Sequence, residues 1–130
     1  MQQKLTITTK DNIGLVAQLD APDTTSDTCV ILCHGATVDM EELGAFTQLT
    51  KDIVSAGFHV FRFNFRGHGP RVEKSLEEYT VSKAVQDIEA AVSKVHDLGY
   101  AKYIMLGASF GGGPVSLFVG NNPVGLRGVI

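Results

Sequence analysis

Hydrophobic positions along this 130-residue chain change their period several times, and each change marks an element. Leu5-Thr6-Ile7-Thr8 alternates apolar and polar, as a half-buried strand does. Asp11-Asn12-Ile13-Gly14 reads as a turn and residues 15–19 as the return strand, which predicts an amino-terminal hairpin. A polar loop over residues 20–27, containing Pro22, leads into the unbroken apolar run 29–33, the mark of a strand buried on both faces. Phe46, Leu49 and Ile53 recur at three- and four-residue spacing and predict a helix stopped by Gly57. Residues 60–65 predict a strand with Phe61, Phe63 and Phe65 on one face. Val81, Val85, Ile88, Val92 and Val95 predict an amphipathic helix ended by Gly99, with Lys83, Asp87, Glu89 and Lys94 as its solvated face. Residues 103–106 read as a further strand, and 126–130 begin another. Strands alternating with helices imply an α/β fold: a mostly parallel sheet with helices on both faces.

Bulk properties narrow the class. The length suits a single domain, and 44% hydrophobic with 19% charged residues is ordinary for a globular protein. A net charge of −3 gives no basic footprint for nucleic acid, and no apolar run approaches the roughly 20 residues of a membrane span. Cys29 and Cys33 lie in one predicted strand, about 13 Å apart at ~3.3 Å per residue, which is beyond disulfide reach. They read as reduced core residues, and with no visible signal peptide the expectation is a cytoplasmic protein. Three groups on one straight strand, Cys29, Cys33 and His34, cannot surround a metal ion.

The chemistry is concentrated at Gly107-Ala108-Ser109-Phe110-Gly111, between a predicted strand and a short helical stretch. Strand, glycine-serine-glycine turn and helix form the setting in which G-x-S-x-G becomes a nucleophile elbow. Gly107 and Gly111 give the turn room, and Ser109 is pushed outward. Alone the pentapeptide is weak; with His34-Gly35-Ala36 closing the buried strand, catalytic ancestry outweighs chance. An oxyanion hole needs two fixed N–H donors: Phe110, next to the nucleophile, and Ala36, in the loop after the earlier strand. Arg66-Gly67-His68-Gly69 ends the next strand and reads as a loop that only shapes the site, in preference to Arg66 bracing neighbouring loops or His68 facing the pocket. His59 falls at the opposite sheet edge and His96 in the last turn of a helix, so neither serves Ser109. Pro114 and Gly120 weaken the helix behind the serine.

In this order of elements the chain resembles the amino-terminal half of an α/β-hydrolase-fold serine hydrolase, most like the cinnamoyl/feruloyl-esterase-like and serine-aminopeptidase-like esterases. The resemblance covers nearly all of residues 1–130 as part of a single domain: the hairpin, H-G-A at 34–36, N-F-R-G-H-G at 64–69, and G-A-S-F-G at 107–111. Asn64 stands where many relatives have Asp. The resemblance implies Ser109 as nucleophile, Ala36 and Phe110 as backbone oxyanion donors, hydrolysis of a carboxylic ester or an amide, a small-molecule substrate and no metal or organic cofactor. It also implies that the triad acid and histidine follow later strands. No His, Asp or Glu follows Ser109, so the 130-residue chain reads as an inactive fragment. The alternative is a non-catalytic binding protein on the same fold.

Overall fold

The computed structural model describes residues 1–69 and 79–130. Among them the elements run β1 (Gln2–Thr8), β2 (Gly14–Asp20), β3 (Thr28–Cys33), α1 (Ala45–Ser55), β4 (His59–Phe63), α2 (Val81–Asp97), β5 (Lys102–Gly107), α3 (Gly112–Val119) and β6 (Leu126–Val129). The strands form one sheet in the order β1-β2-β4-β3-β5-β6. The β1–β2 hairpin and the β2–β4 pair are antiparallel, while β4, β3, β5 and β6 are parallel. The mostly parallel α/β sheet is as the periodicity predicts.

Side-chain alternation along β3 divides the core in two. Cys29, Ile31 and Cys33 face a cluster with Phe61, Phe63, Phe65, Ile88, Val92, Val95, Val115 and Phe118, which places α2 and α3 on one face. Val30 and Leu32 face Phe46 and Val60, with Leu49 and Ile53 packed alongside, which places α1 on the other. Beyond α1 this second face is open: an apolar hollow of about 300 Å³ is lined by residues including Ile53, Phe58, Ile104, Leu106 and Ile130. Cys29 and Cys33 are buried free thiols, and burial raises the pKa of both. Among the described residues no helix is long and apolar enough to cross a membrane.

Two expectations need correction. β4 ends at Phe63 rather than 65, because the Phe65 N–H leaves the ladder and donates to His34 Nε2 at 3.0 Å. Asp87 is not on a solvated face; it is fully buried. It lies at helical spacing from Ala84 and Ala91, beside Ile88, on the stripe that meets the sheet. Burial is tolerated because Arg66, itself buried, donates to it from Nε at 2.9 Å, from Nη2 at 2.8 Å and from its backbone N–H at 2.9 Å.

The parallel part of the sheet fixes where a ligand can sit. From central β3 the chain crosses to β4 on one side, and then over β3 to β5 on the other. Strand order therefore reverses between β3 and β5, and their carboxyl ends open a crevice at the switch point. The loops after Cys33 and Gly107 emerge there side by side, since these two residues are register partners.

Candidate active site

Ser109 tops the turn out of β5 in the left-handed region, at φ 51°, and is exposed. A non-glycine residue is held there only where its surroundings force it. The forcing contacts are main-chain ones. An ideal Cβ on Gly107 would lie 2.8 Å from the Gly112 Cα, and one on Gly111 would lie 2.5 Å from the His34 carbonyl oxygen. The Ala108 N–H donates to the Cys33 carbonyl at 3.0 Å, and the Gly111 N–H to the Ala108 carbonyl at 2.9 Å, closing a 3₁₀ turn over Ser109–Gly111. α3 starts directly after this turn. Pro114 falls in the first helical turn, where a missing N–H is best tolerated, and Gly120 is only the C-cap residue. Neither interrupts the helix.

The loop after β3 lies against the serine. The Cβ position of Gly35 is 3.3 Å from Ser109 Cβ and 3.4 Å from the Ala108 carbonyl oxygen, so a side chain there would crowd the turn. Ala36 follows directly. Among the described residues neither the Ala36 nor the Phe110 N–H has an acceptor, and the Ser109 hydroxyl has no partner. Phe110 is 41% exposed, with its ring 5.2 Å from that of Tyr79. The structure thus brings Gly35, Ser109 and two unclaimed N–H-bearing loops together at one sheet edge.

The two histidines at this edge are committed elsewhere. His34 Nδ1 lies 2.6 Å from the Gly35 carbonyl, and Nε2 accepts the Phe65 N–H. His68 Nδ1 lies 2.9 Å from the Arg66 carbonyl, and Nε2 accepts the Thr37 N–H at 3.1 Å. A carbonyl can only accept and a backbone N–H can only donate, so both rings carry their proton on Nδ1. Both are buried. Burial lowers the His34 pKa from 6.5 to about 4, so the ring is neutral at physiological pH. His59 sits at the amino end of β4, away from Ser109, and His96 near the end of α2, beside Tyr103.

Below the loops, Arg66 joins the hairpin turn to α2. Nη1 and Nη2 hold Asp11 at 2.7 and 3.1 Å, with Nη2 shared between Asp11 and Asp87. Burial disfavours the Arg66 charge, but bonds to Asp11 and Asp87 outweigh it and raise its pKa. The Arg66 bond holds the Asp11 carboxyl well below the usual range, while burial pushes Asp87 up against the pull of the same arginine. Arg66 therefore braces its neighbours, against the preferred expectation that its loop only shapes the site, and its partner Asp87 was missed.

Sequence reasoning also missed Glu42. Its carboxylate accepts the Gly35 N–H at 2.6 Å, reaching back over a loop in which Thr37, Glu42 and Leu43 all have positive φ, at 68°, 46° and 55°. Nothing in the local pattern signals that contact. Asn64 accepts the Met40 N–H at 2.8 Å, a further tie on the same loop. Beside it lies a hollow of about 290 Å³, lined by Thr37, Val38, Asp39, Glu41, Leu43 and Gly69.

Comparison with known proteins places the fold and the family. The serine aminopeptidase S33 family matches residues 24–130. The esterase Pf2001 of Pyrococcus furiosus is 28% identical, with a TM-score of 0.72 over 85% of this chain and 44% of its own. A thermostable carboxyl esterase from Bacillus coagulans is 17% identical, with a TM-score of 0.81 over 98% of this chain and 43% of its own. XC6422 from Xanthomonas campestris, an α/β serine hydrolase without a lid, is 18% identical, with a TM-score of 0.79 over 98% of this chain and 60% of its own. The last two likenesses concern the fold alone. The chain spans less than half the length of the Pyrococcus esterase. No curated protein matches.

Proposed function

The chain belongs to the serine aminopeptidase S33 family, and from that premise we propose that it carries the nucleophile of a serine hydrolase acting on a small carboxylic ester or an amide. In this reading the Ser109 oxygen attacks the acyl carbon while its proton passes to a base. The oxyanion that forms accepts the N–H groups of Ala36 and Phe110. Collapse expels the alcohol or amine, and water then releases the acid from acyl-Ser109. The observation that carries the proposal is Ser109 held at a left-handed φ against the Gly35 loop, where neither the Ala36 nor the Phe110 N–H donates to any described residue.

Neither imidazole at this sheet edge is free to be the base, because His34 and His68 commit both ring nitrogens to the main chain. The test therefore supplies one. The chain is exposed to p-nitrophenyl acetate with and without 2-methylimidazole, a base too hindered to be a ready nucleophile, and acetylation is read by intact mass beside a Ser109→Ala control. The proposal expects base-dependent acetylation that the control lacks. Equal acetylation of the two proteins refutes it.

A further inference from the structure

Three consecutive N–H groups line the loop that faces Ser109, and they are treated differently. Gly35 donates to Glu42 at 2.6 Å, Thr37 donates to His68 Nε2 at 3.1 Å, and Ala36, between them, donates to none of the described residues. We infer that Glu42 and His68 are positioning residues, which anchor the peptides on either side of Ala36 and thereby hold its N–H for the acyl oxygen. The inference rests on the reading of Ser109 given above.

The need for two anchors follows from the loop itself. Gly35 has no Cβ because Ser109 is too close, and glycine leaves the next peptide free to rotate. Thr37 is β-branched and sits at φ 68°, a conformation that costs on the order of 1–3 kcal/mol and persists only when surroundings over-determine it. The His68 bond supplies that determination. On the other side, Glu42 and Leu43 are also left-handed, yet Leu43 is 91% exposed and gains nothing by burial. What the bend achieves is the return of the Glu42 carboxylate to Gly35, seven residues earlier.

His68 is fixed in turn. Its Nδ1 meets the Arg66 carbonyl, its ring lies 4.6 Å from Tyr79, and Tyr79 touches Phe110. The same imidazole thus bonds the loop of Ala36 directly and is linked to Phe110 through the Tyr79 ring. His68 acts here as a fixed acceptor, and the role needs only an acceptor, not a base.

That distinction sets the test. Amide hydrogen exchange of the folded chain should show Gly35 and Thr37 protected and Ala36 exchanging at least tenfold faster. Nitrogen NMR of the His68 ring should show the proton on Nδ1. His68→Phe and Glu42→Met should release Thr37 and Gly35 respectively, and slow base-assisted acetylation of Ser109 by about 10- to 100-fold, the usual cost of small misplacement. His68→Gln and Glu42→Gln complete the series: these glutamine variants keep an acceptor and should recover most of the rate. Far-ultraviolet circular dichroism establishes that each variant is folded. Gly35 and Thr37 exchanging as fast as Ala36, or folded acceptor-free variants acetylating at the wild-type rate, overturns the inference. Absence of wild-type acetylation refutes the Ser109 reading instead, and the exchange pattern then decides the anchoring alone.

Discussion

Gly111→Ala and Gly113→Ala make the same chemical change in one turn of chain and should have opposite effects. A Cβ at Gly111 would stand 2.5 Å from the His34 carbonyl oxygen and 2.6 Å from that of Cys33. Ordinary contact begins at 3.4 Å, so something must move by about 0.9 Å. Neither obstacle is a side chain that can swing aside. Both belong to the chain leaving β3, a strand bonded on both sides. Overpacking of this kind costs roughly 1–3 kcal/mol, here toward the upper end, less up to ~1 kcal/mol gained when alanine replaces glycine in a helical turn. The net is a loss of about 2 kcal/mol, or a melting point lower by roughly 6–10 °C for a chain of this size. At Gly113 nothing lies within 4 Å, and the same methyl should raise the melting point by about 3 °C. Thermal and urea unfolding followed by circular dichroism reads both. Equal midpoints for the two variants, or a more stable Gly111→Ala, would refute the claim that the turn is pinned against β3.

Other consequences follow from the same contacts. Asp87→Ala leaves the buried Arg66 with Asp11 alone and its own N–H unpaired, and should cost about 3–5 kcal/mol by urea unfolding; Asp11→Ala, at a 39% exposed side chain, should cost clearly less. His34 has its pKa lowered from 6.5 to about 4, so folding favours the neutral ring. The stability this gives is complete above about pH 6.5 and is lost as pH falls through about 4, on the order of 3 kcal/mol in all. The urea midpoint should therefore fall less between pH 7 and pH 4 in His34→Gln than in the wild type, and equal falls would count against it. Without added base, the chain should hydrolyse p-nitrophenyl acetate no faster than Ser109→Ala, since loss of a triad base costs ~10⁴-fold or more.

The strands and the glycine-flanked turn at Ser109 were legible in the sequence because both are local. Alternation at residues 5–8 and the unbroken run at 29–33 reflect burial of a single segment, and the glycines at 107 and 111 reflect a turn a few residues long. What stayed hidden depends on partners far along the chain. Asp87 reads as a surface charge until Arg66, 21 residues away, is known to meet it, although its place between Ala84 and Ala91 on the helix stripe is a signal. His68 and Thr37 are 31 residues apart. Glu42 is nearer to Gly35, but its contact depends on successive left-handed residues that no propensity favours. The end of β4 was misplaced for the same reason: Phe65 continues the apolar alternation, yet its N–H goes to an imidazole from another loop.

The role proposed for Ser109 requires the fold to make it chemically distinct from every other serine in the chain. It is tested most directly by treating the folded chain with a fluorophosphonate and 2-methylimidazole, then locating the adduct by peptide mass spectrometry, with a urea-unfolded sample alongside. One adduct is expected, on Ser109, and it should disappear when the chain is unfolded. Adducts spread over several serines, or the same labelling of Ser109 in urea, would contradict it.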